Sequence, residues 1–207
     1  GDVYKRQEYI VRAIRAGCRA ISEKALCTTA SQCREILKAH KNEKVPSLVT
    51  HNMRYASEIQ VVKDLLSKDA IGDILSMEFR ENLDRNHGAD YFRRWHRRKE
   101  NSGGLLIHKA SHHFDVLNYL CGSKPRTLIA TGALQVYGRN GPFRSRRCMG
   151  CPHARECEFY VDMFCNDRAR KLYLDCEKDD GYMRDGCVFD PEIDIEDQAH
   201  VLYTYEN

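Results

Sequence analysis

The chain has 207 residues, with 33 Lys and Arg against 30 Asp and Glu, so its formal net charge is only +3. This near balance gives no reason to expect a nucleic-acid partner. Apolar residues make up 42% of the chain, which excludes a disordered or collagen-like protein, and no apolar run is long enough to span a bilayer. We therefore expect a globular protein of one or two domains without a membrane partner.

Both ends of the chain carry unusual patterns. Residues 2–7 can be read in frame from the end sequence of a sequencing-library transposon adaptor, so we interpret residues 1–7 as an adaptor scar. The other end stops inside a strand-like alternation, Val201–Asn207, with no turn after it. The expectation is an internal fragment of a longer protein.

Residues 8–54 alternate between helical and strand-like segments. A helix over Tyr9–Ala16 with Gly17 as its C-cap is followed by a strand at Arg19–Glu23. A capping-box pattern, Thr29-x-x-Gln32, opens a second helix whose apolar stripe is Cys33, Ile36, Leu37 and His40. A second strand is predicted at Ser47–His51 after Pro46. This alternation favours a helix-covered parallel sheet, the α/β class.

After a predicted boundary at residues 53–57, the pattern changes to α+β. Ile59, Val62, Leu65 and Leu66 indicate an amphipathic helix. Residues 74–80 alternate like a strand with one solvent-exposed face, and residues 128–136 indicate another strand. Between them, His113, Val116, Leu117 and Leu120 have helical spacing, and Gly122 closes that helix. The second domain, 55–207, is therefore predicted to hold a mixed or antiparallel open sheet.

Three ordered segments carry a family resemblance. They are Ala16-Gly17-Cys18-Arg19-Ala20-Ile21-Ser22-Glu23-Lys24-Ala25; His51-Asn52-Met53-Arg54-Tyr55 with Ile71-Gly72-Asp73-Ile74; and Gly103-Gly104-Leu105-Leu106-Ile107-His108-Lys109-Ala110-Ser111-His112-His113-Phe114-Asp115. In this order they resemble the glucose–fructose oxidoreductase, inositol dehydrogenase and rhizopine-catabolism family, Gfo/Idh/MocA. The resemblance covers about residues 8–137 and the strand region near the end.

The resemblance implies a two-domain, nicotinamide-dependent dehydrogenase of sugars and polyols. Residues 8–54 would be the C-terminal part of a Rossmann domain that binds NAD or NADP, with Glu23, Lys24, Asn52 and Arg54 at the cofactor. The sequence has no Gly-x-Gly-x-x-Gly turn, which belongs to the first half of a Rossmann domain. The implied partners are a small carbohydrate or polyol and, at full length, further copies of the chain. The expected location is the cytoplasm, although a missing N-terminus could have carried an export signal.

Lys24 is the first predicted catalytic residue. Glu23-Lys24-Ala25 corresponds to the family's Glu-Lys-Pro, in which the lysine lies beside the nicotinamide and the substrate hydroxyl. A buried ammonium has its charged form disfavoured, so it can take or relay a proton. Ala25 in place of proline is a departure from the family pattern, and a solvated lysine after a strand is the alternative interpretation.

His108 and His112 are the other predicted catalytic residues, placed i and i+4 on one helix face. His112 matches the family histidine, a general acid or base. His108 replaces the family's aspartate and cannot supply a negative charge. Asp115 is predicted to orient His112 or a substrate hydroxyl, and Lys109 to meet an anionic substrate. The spacing also suits a metal, but the zinc-hydrolase motif needs a glutamate where Lys109 stands.

A basic stretch precedes the Gly-Gly turn and could be read as a nucleic-acid patch, but it is short in a nearly neutral chain. The family often carries a Trp-Arg pair here. We expect Trp95 to present a face to a sugar ring, and Arg94, His96 and more weakly His87 to bind hydroxyls or a carboxylate. The remaining charges, Arg97, Arg98 and Lys99, are expected to be solvated.

Six of the ten cysteines fall in a predicted insert at residues 144–190. Cys148, Cys151 and Cys157, with Cys187 as fourth ligand, predict a structural zinc site, and Cys165 is the alternative fourth ligand. An iron–sulfur cluster, disulfides and free thiols are the competing interpretations.

Three functions remain open at this point. The first is a dehydrogenase in which Lys24 and His112 handle the hydroxyl proton. The second is an NAD-dependent glycosidase or epimerase that takes a hydride and returns it. The third is a non-catalytic sugar-binding relative, favoured by Ala25 and His108.

Overall fold

The computed structural model describes residues 3–206, so the first two residues of the predicted scar and the last residue of the chain lie outside it. The helices are α1 Val3–Arg15, α2 Ala30–Glu43, α3 Ser57–Ser67, α4 Arg85–Arg93, α5 Lys99–Ser102, α6 Leu105–His108, α7 Ser111–Cys121, α8 Asp167–Leu172 and α9 Glu177–Asp180. The strands are β1 Ile21–Glu23, β2 Leu48–Thr50, β3 Pro125–Ala133 and β4 Gln198–Tyr205. Short 3-10 turns occupy Asn52–Tyr55, Trp95–Arg97, Gly138–Asn140 and Leu174–Cys176. Within residues 3–206, no helix combines the length and the apolar character that crossing a bilayer requires.

The chain divides into two compact units, each assembled from separated stretches. The first unit comprises residues 3–81, 105–131 and 199–206 of the described chain, and the second comprises residues 82–104 and 132–198. The predicted insert at residues 144–190 lies in the second unit. The predicted domain boundary between residues 54 and 55 lies inside the first of these units. The units group residues by contact, whereas the prediction concerns domains, so the boundary stays a prediction.

The first unit is built on the packing of α1 against α2. Ile10, Val11 and Ile14 of α1 bury their side chains against Ile36 and Ala39 of α2. Each buried aliphatic side chain stabilises the fold by about 1.5–3 kcal/mol. The predicted stripe of α2 is only partly confirmed, because its other three members, Cys33, Leu37 and His40, are exposed.

The predicted start of α2 and the predicted C-cap of α1 are confirmed, whereas α1 begins at Val3 and not at Tyr9 as predicted. The hydroxyl of Thr29 accepts a hydrogen bond from the backbone N–H of Gln32 at 3.2 Å and so caps α2. The side-chain oxygen of Gln32 in turn accepts a hydrogen bond from the N–H of Thr28, one residue earlier than in an ideal capping box. Gly17, after α1, has a φ of +73°, the left-handed conformation that glycine adopts without strain.

Strands β1 and β2 form the predicted parallel pair. Ile21 lies opposite Leu48, and Glu23 lies opposite Thr50. Parallel strands end at the same edge of a sheet, so Lys24 and His51, which follow these strands, leave the sheet on the same side. In open α/β sheets this carboxyl edge is where ligands bind.

The predicted strand at residues 74–80 is wrong, since this segment has no assigned strand partner in the described chain. Leu75, which the alternation placed on one face, is 95% exposed. Alternation describes the faces of a strand, but a strand also needs a neighbour to bond with, and the local sequence does not supply that information.

The other predicted strands pair with each other. At one end the N–H of Asp197 bonds to the carbonyl of Ala133, and at the other the N–H of Glu206 bonds to that of Lys124. These bonds show that β3 and β4 run in opposite directions. The antiparallel character predicted for the second half is confirmed, although this sheet has two strands in the described chain.

The second unit has an aromatic and aliphatic core. Phe92 stacks on Tyr137 with ring centroids 3.9 Å apart, and Phe159 meets Phe189 edge to face at 5.6 Å. Five further side chains are 8% exposed or less, namely Cys148, Met163, Val188, Ile193 and Ile195. The cysteine-containing segment is thus part of a packed core.

Candidate active site

Lys24 occupies the position that its sequence context predicts, immediately after β1. Its ammonium donates a hydrogen bond to the backbone carbonyl of His108 at 2.5 Å. Burial, followed by the positive charges of Lys109 and Arg6, lowers the pKa of Lys24 to about 8, and nearby Glu23 opposes this shift. Near neutral pH this amine can therefore both hold and release a proton.

The prediction that His108 and His112 share one helix is wrong, because the helix is interrupted between them. Helix α6 ends at His108, and α7 begins at Ser111. In a continuous helix the N–H of His112 would bond to the carbonyl of His108. Here that N–H bonds to the carbonyl of Lys109 at 3.3 Å, so the break leaves the His108 carbonyl to accept the bond from Lys24.

His112 has a neutral ring at physiological pH. Burial, followed by the positive charges of Lys24 and Lys109, lowers its pKa to about 4. Its Nδ1 atom is buried and has no hydrogen-bond partner within the described chain. A buried ring nitrogen without a partner is costly, and a ligand hydroxyl could satisfy it.

Asp115 is tied to Arg54 rather than to His112. The Arg54 Nε donates to one carboxylate oxygen of Asp115 at 2.8 Å, and its Nη2 contacts the other. Nδ1 of His51 lies 3.9 Å from the same carboxylate. This bidentate ion pair holds the turn after β2 against α7. Arg54, predicted at the cofactor, and Asp115, predicted at the substrate, are therefore bonded to each other.

Lys109 also has a carboxylate partner. Its ammonium lies 3.1 Å from the Glu81 carboxylate, which also contacts Nε2 of His113. The His113 ring stacks on Phe79 at 4.5 Å. Burial opposes the charge of Glu81, but its bonds to Lys109 and His113 outweigh that effect and lower its pKa. Lys109 therefore acts in this structure as the partner of Glu81, while its predicted role toward an anionic substrate is untested.

Glu23, the last residue of β1, and Asn52, two residues after β2, are predicted at the cofactor, and both are exposed. The Lys24–Ala25 peptide bond is cis, and Ala25 is buried. The first unit thus brings together Lys24, His108 and His112 and, beside them, Arg54 and Asp115.

The predicted sugar-binding residues Arg94, Trp95 and His96 of the basic stretch lie in the second unit, as does His87 before it. His96 is buried, with Trp95 stacked on it at 3.9 Å and Tyr91 meeting its edge at 5.3 Å. Nε of Arg94 donates to the hydroxyl of Tyr182 at 3.4 Å. His87 is exposed on α4, with its ring beside Tyr91. His96 therefore packs into the core of its unit, and the sugar-binding role of all four stays a prediction.

The expectation that the neighbouring charges are solvated is wrong for Arg97 and Arg98, which are half-buried, and is confirmed for Lys99, whose side chain is 57% exposed. Arg97 lies 3.0 Å from Asp190, Arg98 lies 3.2 Å from Glu192, and the ammonium of Lys99 lies 3.6 Å from Glu196. These carboxylates are more than 90 residues away in sequence, so no local pattern could reveal them. The pairs fasten the basic stretch to the rest of its unit.

The four predicted zinc ligands, Cys148, Cys151, Cys157 and Cys187, line one cavity of about 20 Å³ in the second unit. All ten cysteines are free thiols. As the side chains stand, residues 3–206 contain no group of three or more His, Cys, Asp or Glu arranged to hold a metal ion.

Sequence reasoning missed two participants of the first unit. His51 could have been found, since it follows β2 at the same sheet edge as Lys24. Glu81 carries no such signal, because it lies in an irregular segment and meets Lys109 and His113 only through the fold.

Comparison with curated proteins places the chain among oxidoreductases. It is 32% identical to "Putative oxidoreductase YteT" of Bacillus subtilis over 96% of this chain and 49% of that protein. It is 28% identical to 2,7-anhydro-N-acetylneuraminate hydratase of Escherichia coli, over 62% of this chain and 34% of the relative. It is 26% identical to inositol 2-dehydrogenase of Rhizobium meliloti, over 62% of this chain and 37% of that protein. The chain thus spans half or less of the length of these relatives.

A family model and a solved structure agree with these matches. The model described as "Oxidoreductase family, C-terminal alpha/beta domain", the C-terminal domain of the Gfo/Idh/MocA group, matches residues 63–207. The structure of putative oxidoreductase yvaA from Bacillus subtilis superposes with a TM-score of 0.53 at 23% identity, over 65% of this chain and 36% of that one. The structural likeness supports the α/β fold.

Proposed function

Because this chain belongs to the Gfo/Idh/MocA oxidoreductase family, we propose that the whole protein is an NAD(P)-dependent dehydrogenase that oxidises a hydroxyl of a sugar, cyclitol or related polyol. One observation carries the proposal. The amine of Lys24 is held at the carboxyl edge of a parallel strand pair by the His108 carbonyl, and its charge contributes to lowering the pKa of His112.

The two shifted pKa values assign different roles to these side chains. A general base works best when its pKa lies near the working pH, and that of Lys24 is about 8. His112, with a pKa of about 4, is a weak base but always offers a neutral ring. We assign proton removal from the substrate hydroxyl to Lys24, and orientation of that hydroxyl through a hydrogen bond to His112.

Asp115 has a positioning role in this scheme. Both of its carboxylate oxygens are paired with the guanidinium of Arg54. The pair joins the turn after β2 to α7, the helix that carries His112. Its function is to keep the imidazole at the sheet edge where Lys24 lies.

The residues present fit the nicotinamide end of the cofactor. Glu23 and Asn52 are exposed at the ends of adjacent parallel strands, the edge where open α/β sheets bind ligands. A nicotinamide bound there supplies the hydride acceptor. The phosphates need a glycine-rich turn, and this sequence does not contain one. Inositol 2-dehydrogenase among the relatives supports a polyol as the hydride donor.

The test is a cofactor-reduction assay with the whole protein. We expect NAD⁺ or NADP⁺ to be reduced in step with oxidation of one member of a panel of cyclitols and aldoses, measured by the absorbance of the reduced nicotinamide. The matched control is the deoxy analogue of the active compound, which lacks the reacting hydroxyl. A protein that binds the cofactor but reduces it with no member of the panel would contradict the proposal.

A second candidate is favoured by the hydratase among the relatives and by His108 in place of the family's aspartate. In that reaction the hydride returns to the sugar after elimination or inversion, so no reduced cofactor accumulates. Incubation in D₂O distinguishes the two candidates. Deuterium entering the carbon skeleton without net cofactor reduction supports the second, and stoichiometric reduction supports the first.

A further inference from the structure

The second unit gathers four cysteines from two distant segments. Cys148, Cys151 and Cys157 lie in one turn-rich stretch, and Cys187 is brought to them by backbone bonds. The N–H of Cys148 donates to the carbonyl of Asp185 at 2.9 Å, and the N–H of Cys187 donates to that of Arg146 at 3.3 Å. These bonds flank a β-bridge between Arg147 and Gly186, so the convergence belongs to the fold.

A backbone N–H group points at one of these sulfurs. The N–H of Phe189, two residues after the cysteine, donates to Sγ of Cys187 at 3.4 Å. Hydrogen bonds to a sulfur favour its thiolate form, which is the form that binds metals.

A buried guanidinium lies beside the same sulfurs. Arg93 is 4% exposed, and its Nη1 lies 3.6 Å from Sγ of Cys148. Its Nη2 donates to the carbonyl of Phe159, and its Nε lies 3.5 Å from Asp90. The remaining wall of the cavity is apolar and includes Phe143 and Val188. A divalent cation bound by four thiolates carries a net charge of −2, which Arg93 would partly offset.

The cavity that these four cysteines line has room for a small guest. Its volume is about 20 Å³, and a water-sized guest needs about 10–15 Å³ by this measure. His153 does not compete as a ligand, because its Nδ1 contacts Glu156 and its ring stacks on Phe143 at 4.4 Å.

We propose that Cys148, Cys151, Cys157 and Cys187 bind one Zn²⁺ as a tetrahedral four-thiolate site that fastens the two segments together. Zinc–sulfur bonds of about 2.3 Å place neighbouring sulfurs about 3.8 Å apart. Binding requires the sulfurs to draw together, since the thiols of residues 3–206 are not already arranged around an ion.

The test measures metal content in full-length protein purified in a thiol reductant with no added zinc. We expect one zinc per chain by elemental analysis, without iron or labile sulfide. Cys151→Ser and Cys187→Ser should lose most of it. The matched controls are Cys165→Ser and Cys176→Ser, which remove cysteines of the same insert that do not line the cavity, and these should retain one zinc.

A second measurement on the unmodified protein covers the case in which the variants fail to fold. Stepwise titration with a mercurial should release one zinc per four thiols modified, detected with a metal-binding dye. The proposal would be overturned if the protein contained no zinc, or if it contained iron with sulfide. A disulfide among these four cysteines, detected by mass spectrometry, would overturn it as well. Equal loss of zinc in the control variants would overturn the choice of ligands.

Discussion

In the first unit, Lys24 and His112 have their charged forms disfavoured, and the nearest partner of the amine is a neutral carbonyl. In the second unit, the fully buried Asp185 is bound by the Arg147 guanidinium at 2.9 Å and by the N–H of Met149 at 2.8 Å. The difference separates two uses of ionisable groups. Groups whose charge is not compensated can exchange protons, whereas compensated charges fix a structure.

The largest effect is expected from removing the uncompensated amine. Lys24→Met should lower kcat/KM of the whole protein about 10²–10⁴-fold, the usual contribution of a general base. The melting temperature should stay the same or rise slightly, because the fold disfavours the ammonium that is lost. Steady-state kinetics and thermal unfolding measure the two effects.

The matched control is Lys41→Met, which removes an exposed lysine from α2 of the same unit. It should leave both quantities unchanged. Unaltered turnover in Lys24→Met would remove Lys24 from the mechanism.

A compensated charge should show the opposite pattern. Asp185→Ala removes the carboxylate that Nε and Nη2 of Arg147 contact. The loss should lower the free energy of unfolding by about 3–5 kcal/mol. Denaturant unfolding measures this loss. In Asp167→Ala, which removes an exposed ion-pair partner of Arg170, the loss should be less than about 1 kcal/mol. Similar losses in the two variants would show that burial of the Asp185 pair does not matter.

The backbone of the second unit offers a smaller effect. A Cβ added at Gly186 would lie 2.5 Å from the carbonyl oxygen of Arg93, a backbone atom that cannot easily move. Gly186→Ala should therefore cost about 1–3 kcal/mol of unfolding free energy, the range for overpacking. Gly181→Ala is the control, since its Cβ would meet open space and only its φ of +72° opposes the change. Calorimetry should find the larger loss in Gly186→Ala.

The smallest predicted effect is a dependence of rate on pH. For alcohol oxidation the active form of Lys24 is the neutral amine, so kcat/KM should fall about tenfold for each unit of pH below about 8. For carbonyl reduction the ammonium is required, so the rate should fall above the same midpoint. Lys109→Met removes a positive charge that lowers the pKa of Lys24, and it should move the midpoint upward. If the pH profiles of alcohol oxidation and carbonyl reduction had slopes of the same sign, Lys24 would not be the proton carrier.

The sequence predicted the features that depend on neighbouring residues. The cap formed by Thr29, the left-handed turns at Gly17 and Gly122, and the parallel pair β1–β2 all follow from patterns a few residues long. The position of Lys24 at the end of β1 follows from the same local information.

The sequence could not predict features that depend on distant partners. Arg54 meets Asp115 across 61 residues, and the segment at residues 74–80 has the alternation of a strand without a neighbour to pair with. The break between α6 and α7 was also invisible, because the apolar spacing before and after it is compatible with one continuous helix.

The break between α6 and α7 has a consequence for the tolerance of substitutions at position 108. The amine of Lys24 is anchored by a main-chain oxygen, and every amino acid supplies that oxygen. The anchor is therefore independent of which residue stands at position 108, so histidine can stand where the family resemblance implies aspartate without displacing the amine. A change of side chain at this position therefore leaves the amine of Lys24 in its place.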